Sequence, residues 1–224
     1  MSFEIPGELM VSVSGVRGRV GESLNPEVAS HFVAAFGSWL RGTKARPCVV
    51  VGRDSRASGP MFERAVVAAL QAVGCDVIAT GIVPTPTALY TIRHHTADGG
   101  IIVTASHNPV EWNALKFASS ECMFLDAAQA SEMHRYLADR PLAWSRWDGL
   151  GSVSTDGEAV GRHLRAVLAI RYLDLDALRR RRFRVVLDCV RGAGGVLLPE
   201  LLRSLGCDVI GMDLEPDGNF SRTP

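Results

Sequence analysis

No apolar run in the 224 residues approaches the roughly 20 residues needed to cross a bilayer, and nothing at the amino end has the pattern of a secretory leader. Charge of one sign is missing as well. Lys plus Arg number 24 and Asp plus Glu number 24, and a net charge of zero weighs against a surface built as a whole for nucleic acid. The five cysteines, Cys48, Cys75, Cys122, Cys189 and Cys207, are odd in number, scattered, and form no C-x-x-C pair. They fit reduced thiols better than a disulfide framework, so the expected setting is cytoplasmic. Disorder does not fit, because 47% of the residues are apolar and 21% charged, a balance that builds cores. The length suits one large domain or two smaller ones.

The chain is organised around Gly99-Gly-Ile-Ile-Val-Thr-Ala-Ser-His-Asn-Pro109. Ile101 to Val103 reads as a buried strand, and Pro109 forbids its continuation. Thr104, Ser106, His107 and Asn108 then cluster at the carboxyl end, where open α/β sheets place their sites. A plain polar turn has the same composition.

The other segments alternate between strand and helix. Residues 10–21 read as a short strand followed by a Gly-rich loop, with Gly15, Gly18 and Gly21 permitting close backbone approach and Arg17 and Arg19 supplying charge. That pattern suits an anion site or a flexible turn with solvated arginines. Asn25-Pro-Glu27 opens a helix with an inward stripe of Val28, Phe32, Ala35, Phe36 and Trp39, stopped at Gly42. Cys48 to Val51, a loop over 52–59, a helix from Pro60 and Cys75 to Ile78 make a βαβ unit. Arg53, Asp54 and Arg56 in its first loop could bind phosphate at the helix start. The loop carries its own counter-ion, which favours an internal Arg–Asp network. His94-His95 is a poor metal pair, since neighbours on a helix point about 100° apart. Asp126 is expected to cap a helix to about Leu137. Asp139 to Gly157 reads as a linker anchored by Trp144 and Trp147, and Thr155-x-x-Glu158 as a capping box. The run Arg179 to Arg182 reads as a solvated helix end more readily than a nucleic-acid patch, having no interleaved aromatics.

Gly74-Cys-Asp-Val-Ile78 and Gly206-Cys-Asp-Val-Ile210 are identical, and each follows a strand, a Gly-rich loop and a Leu-bearing helix. The repeat reads as a duplicated α/β domain whose second copy is incomplete.

Thr104-Ala-Ser-His-Asn-Pro109 resembles the phosphoserine loop of the α-D-phosphohexomutases, which include phosphoglucomutase, phosphomannomutase and phosphoglucosamine mutase. The likeness keeps the family's order through Ser14-Gly-Val-Arg-Gly-Arg-Val-Gly21, Gly52-Arg-Asp-Ser-Arg56, Gly81-Ile-Val-Pro-Thr-Pro-Thr87, Asn113-Ala-Leu-Lys-Phe117, Leu187-Asp-Cys-Val-Arg-Gly-Ala-Gly-Gly195 and Pro216-Asp-Gly-Asn-Phe220. Ala114, Asn25 and Ser221 depart mildly from its pattern, and its Asp-Gly-Asp-Gly-Asp-Arg metal loop is not in this sequence.

The resemblance implies an α/β fold, with a three-layer α/β/α domain and a mixed sheet over 1–150 and an incomplete second copy of the same type over 151–224. It further implies that Ser106 carries a phosphoryl group, with Arg17 beside it, Lys116 as general acid/base, and His107 in positioning and electrostatic support. Thr104, Asn108 and Arg17 would bind phosphate. Mg²⁺ would bind Ser106 through its phosphate, and the ligands would be a hexose phosphate and its bisphosphate. Nucleic acid and membrane are not expected partners. The implied reaction is a shift of phosphate between positions 1 and 6 of a hexose, carried out together with further domains of the same protein and inactive without them. The Ser12-Val-Ser-Gly-Val-Arg-Gly18 opening leans toward phosphoglucosamine mutase. The alternatives are a non-catalytic sugar-phosphate-binding or interaction module that retains the loop, and an α/β protein whose serine loop is only structural. An acyl-transfer site at Ser106 and His107 is not expected. No G-x-S-x-G surrounds Ser106, and adjacent turn residues rarely form a nucleophile–base pair.

Overall fold

The apolar runs at 48–51, 76–78 and 101–103 become neighbouring strands of one sheet. A computed structural model describes residues 4–13, 15–220 and 222, so Ser14, Ser221 and Pro224 lie outside the described residues. In chain order the first elements are β1 (Met10–Ser12), β2 (Gly15–Arg19), α1 (Pro26–Arg41), β3 (Cys48–Arg53), α2 (Gly59–Ala72) and β4 (Asp76–Ile82). Then follow α3 (Thr85–His95), β5 (Gly99–Val103), β6 (Trp112–Ser119), α4 (Ala127–Ala138), β7 (Val153–Thr155) and α5 (Ala159–Leu168). The sheet runs β1-β2-β6-β5-β3-β4-β7. Strands β3, β4, β5 and β7 are parallel, while β2 and β6 run antiparallel to their neighbours, so the sheet is mixed, as expected.

Alternation across the sheet sorts two cores. Val49, Val51, Ile101, Val103, Leu115 and Phe117 face α1, α2 and α4, where Phe32, Phe36 and Phe62 are fully buried. Each such aromatic contributes about 1.5–3 kcal/mol of burial. Val50, Ile102 and Ala118 face the opposite layer, against Ala88 and Ile92 of α3 and Ala159 of α5. Asn25 Oδ1 accepts from the Val28 amide at 2.9 Å, which fixes the start of α1. Asp126 and Gln129 form a reciprocal capping box on α4.

Several expectations change. Residues 15–19 form a strand, not a loop, because they pair antiparallel with Trp112 to Leu115. Trp144 and Trp147 are 56% and 81% exposed and do not anchor the segment around them. Backbone bonds hold it, from the Ser145 amide to the Ala72 carbonyl and from the Gly151 amide to the Gln71 carbonyl. Thr155 lies in β7 and caps nothing. Asp156 takes that place, accepting from the Glu158 amide at 3.0 Å and pairing with Arg162 and His95 at 2.8 Å each. Strand β7 lies past residue 150 yet belongs to the first sheet, and α5 packs on α3.

The second unit comprises α6 (Leu175–Arg181), β8 (Arg184–Asp188), α7 (Leu198–Ser204) and β9 (Asp208–Met212). The two strands are parallel, with α7 as crossover. The internal repeat is structural: Asp208 pairs across from Arg184 as Asp76 does from Cys48. The glycines before the two strands share left-handed φ values of 74° and 79°. Strand β8 is not buried: Val186 is 63% exposed. A parallel strand is buried only when layers cover both faces, and among the described residues no second layer covers this one.

Candidate active site

The loops after β3 and β5 emerge side by side at the carboxyl ends of parallel strands, held by the Asp54 amide on the Val103 carbonyl at 3.0 Å. Beyond β5 the face of the sheet that α3 covers elsewhere lies open. Gly15, Arg17, Ala114 and Lys116 project onto that open stretch, because alternation puts Val16 and Leu115 in the core behind it. Gly15 has φ 133°, and a Cβ there would lie 2.0 Å from the Leu115 carbonyl oxygen. Only glycine therefore lets β2 lie so close to β6.

This floor, with Met10, Ser12, Thr104 and Ser106, encloses a cavity of about 200 Å³. Ser106 sits at its rim with φ 57°, a left-handed conformation that costs a non-glycine residue about 1–2 kcal/mol. The Ser106 amide donates to Thr104 Oγ1 at 3.2 Å, and the Asn108 amide donates to the Ala105 carbonyl at 3.1 Å. These bonds turn the serine side chain out of the loop.

The loop is fastened from beneath by Arg56, whose side chain is fully buried. Its Nε donates to Asp54 Oδ2 at 3.1 Å. Nη1 donates to the Pro109 and Trp112 carbonyls at 2.7 and 2.9 Å. Nη2 donates to the Ser106 and Asn108 carbonyls at 3.0 and 2.7 Å. All five guanidinium donors are thus engaged. Burial lowers the Arg56 pKa, and Asp54 works against that shift. Of the two roles open to the 52–59 loop, the internal network is the one present. Arg53 likewise turns inward, to Glu63 at 2.9 Å.

Arg17 and Lys116 flank the cavity, and among the described residues neither pairs with a carboxylate. Arg17 reaches the Met10 sulfur at 3.8 Å, and Lys116 lies over the Phe124 ring at 5.1 Å. Two cations without counter-ions around a small cavity attract an anion. Arg19 points elsewhere, over Trp112 at 5.6 Å and toward Glu22 at 3.7 Å.

His107 Nδ1 lies 3.3 Å from Ser106 Oγ. The sequence-based objection that adjacent turn residues rarely meet this way does not hold here, since the left-handed serine swings its hydroxyl toward the next side chain. Among the described residues no carboxylate orients the ring, so a nucleophile–base–acid relay is not assembled. Asn108 is not in the cavity: its Nδ2 donates to the Ala105 carbonyl at 2.6 Å, which serves the loop. Thr104 lines the cavity and braces Ser106 through its hydroxyl.

A second cavity, of about 330 Å³, opens on the other side of Ser106, between His107 and the second unit's Cys189, Val190, Gly192, Ala193 and Phe220. Burial, and then Asp188, raises the Cys189 pKa. The sequence did not reveal that Ser55 and Phe220 line one cavity, because they lie far apart in the chain and each looks like an ordinary loop residue.

The residues present do not form a Mg²⁺ site. Among the described residues no three His, Cys, Asp or Glu side chains gather around a point, and Asp54, the carboxylate of the neighbouring loop, is committed to Arg56. No helix among the described residues is long and apolar enough to cross a membrane.

Comparison with known proteins gives matches over most of the chain. Residues 9–141 match the model of phosphoglucomutase/phosphomannomutase alpha/beta/alpha domain I, and residues 162–224 match that of domain II. A phosphoglucomutase/phosphomannomutase of Thermococcus kodakarensis is 38% identical over 212 residues, covering 94% of this chain and 46% of the relative. A probable phosphoglucosamine mutase of Methanopyrus kandleri is 39% identical over 207 residues, covering 92% and 44%. The crystal structure of a Burkholderia thailandensis phosphoglucomutase/phosphomannomutase family protein superposes with a TM-score of 0.78 at 28% identity, covering 95% of this chain and 46% of that one. The chain thus spans about half the length of the curated relatives it matches.

Proposed function

Because the chain belongs to the phosphoglucomutase/phosphomannomutase family, we propose that it carries the phosphoserine half of a hexose-phosphate mutase. The observation that carries this reading is Ser106, held in a left-handed turn at the end of β5 and facing a cavity flanked by the uncompensated charges of Arg17 and Lys116. Phosphoryl transfer needs positioning and cationic stabilisation more than a strong base, and this site offers both.

In the proposed cycle a phosphoryl group on Ser106 Oγ passes to a free hydroxyl of a hexose monophosphate. The P–Oγ bond breaks as the new P–O bond forms, and the hydroxyl proton leaves to water. The bisphosphate reorients, and Ser106 Oγ takes the other phosphoryl group, giving the isomeric monophosphate. Arg17 holds the phosphoryl oxygens, Lys116 neutralises developing charge, and His107 positions Oγ from 3.3 Å. A Mg²⁺, if the family's dependence on it extends to this protein, would need carboxylate ligands from beyond the described residues. Phosphoglucosamine mutase is the favoured specificity, supported by the 12–18 opening and by the Methanopyrus relative's name. The five free cysteines suit a reducing cytoplasm. Further domains of the same protein complete the sugar site.

The test is turnover in protein containing this chain and those domains. Ser106→Ala is expected to lower kcat at least about 10³-fold, since no other hydroxyl replaces Oγ. Lys116→Met is expected to lower it about 10²-fold, as for loss of one preorganised charge. Wild-type rates in either variant count against the roles assigned. A folded protein that binds hexose phosphate without ever turning it over marks the chain as a binding module.

A further inference from the structure

The second unit meets the first at the Ser55-Arg56 dipeptide, next to the Ser106 loop. Ser55 Oγ donates to the Arg191 carbonyl at 2.8 Å. Gly218, with φ 75°, lies so close that a Cβ would stand 2.1 Å from the Ser55 carbonyl oxygen and 3.1 Å from Arg56 Cα. The Phe220 ring lies over the Arg56 guanidinium, 5.0 Å from Cζ to the ring centroid. The turn that carries these residues is braced within its own unit, by Arg191 on Asp213 at 3.1 Å and on Asp217 at 3.3 Å.

Arg56 is also the residue that grips the carbonyls of Ser106, Asn108, Pro109 and Trp112. A ring face over a desolvated guanidinium attracts it and closes off the water that would otherwise compete for its donors. We propose that the turn at 216–220 is a clamp: by docking on Arg56 it sets the conformation of the Ser106 loop, so that the second unit controls the geometry of the nucleophile it does not itself contain. Phe220 and Gly218 are then positioning residues acting through Arg56, and the strained φ of Ser106 persists because Arg56 is held on its far side. The consequence for catalysis rests on the proposed function; the clamp itself does not.

Amide exchange of the chain tests the clamp without requiring activity. The amides of Ser106, Asn108 and Trp112 are bonded within the loop, and their exchange reports its opening. Phe220→Leu removes the ring face but keeps apolar bulk, and is expected to raise exchange at these amides about fivefold or more, while Phe220→Tyr, which restores the ring, stays at the wild-type rate. Gly218→Ala, which obstructs the docking through its Cβ, is expected to behave as Phe220→Leu does. The central amides of β3 and β5 are expected to be unchanged in all three, which shows the first unit intact. In turnover, Phe220→Leu is expected to lower kcat about tenfold with KM within about twofold, a misplaced nucleophile and not a lost substrate contact. Wild-type exchange at 106–112 in Phe220→Leu and Gly218→Ala overturns the clamp, as does an equal rise in the Tyr and Leu variants. A clamp confirmed by exchange in a protein that never phosphorylates Ser106 would leave the coupling standing and remove the mutase reading alone.

Discussion

Replacing Arg56 by Lys separates the charge of this residue from its shape. The ammonium keeps a positive charge beside Asp54, so no carboxylate is left alone, but it has three donors where the guanidinium has five, and no planar fork. Arg56 is fully buried and bonds five acceptors, four of them main-chain carbonyls of the loop from Ser106 to Trp112. At least two acceptors therefore lose their donor. Each buried carbonyl left without one costs about 1–3 kcal/mol, which puts the substitution at about 2–6 kcal/mol. Total stabilities are only about 5–15 kcal/mol, so the variant is expected to be folded but fragile. For a chain of this size the loss corresponds to a fall in Tm of roughly 5–20 °C. Urea unfolding followed by circular dichroism measures the free energy directly. A loss below about 1 kcal/mol would refute the reasoning, because it would mean that the five bonds stabilise the fold no more than a solvated surface pair does.

Other consequences follow from buried polar groups away from the site. Asp156 is nearly buried and joins α5 to α3 through Arg162 and His95; Asp156→Asn is expected to cost about 2 kcal/mol and lower Tm by roughly 4–8 °C, and an unchanged Tm would sink that assignment. Burial depresses the pKa of His134 and of His163. The folded state therefore binds fewer protons than the unfolded one, so stability is full above about pH 6.5 and falls as pH drops below it. The urea midpoint should show that slope, and it should flatten when both histidines are replaced by Gln. Burial pushes the Cys75 thiol up to about 12, so in native protein at neutral pH it should resist iodoacetamide longer than the half-buried Cys122 and Cys207; early labelling of Cys75 would contradict its placement.

The first unit was legible because its signals are local. Asn25-Pro26, the stripe from Val28 to Phe36, and the run Ile101 to Val103 each specify an element without reference to distant residues, and the structure builds them where the periodicity puts them. The serine loop was legible for the same reason: a buried strand that stops at a polar cluster and Pro109 has few other meanings. What failed depended on pairing. Gly15 to Arg19 reads as a loop because glycines are poor strand formers; its pairing with Trp112 to Leu115 makes it a strand, and the crowding of Leu115 against position 15 explains the glycine there. Thr155-x-x-Glu158 fits a capping box, but β7 claims Thr155 for the sheet edge and Asp156 outcompetes it. The two tryptophans at 144 and 147 suggested burial by composition, yet backbone bonds do that work. At the site, Arg56 was correctly weighed as part of a structural network because Asp54 stands beside it. Its partners at 106–112 and its cover by Phe220 are tertiary facts that spacing does not encode. The bond between Ser106 and His107 was missed because it depends on the left-handed backbone of the serine, which no residue type at that position announces.

The account stands or falls on Ser106 as the atom that takes phosphate. The direct measurement is to incubate the protein with a hexose 1,6-bisphosphate and Mg²⁺, weigh it intact, and locate any added phosphoryl group by peptide fragmentation. One phosphoryl group on Ser106, absent in Ser106→Ala and slowed in Lys116→Met, is the result expected. A phosphoryl group on Thr104 or elsewhere, or none on a folded protein that contains its further domains, would contradict it.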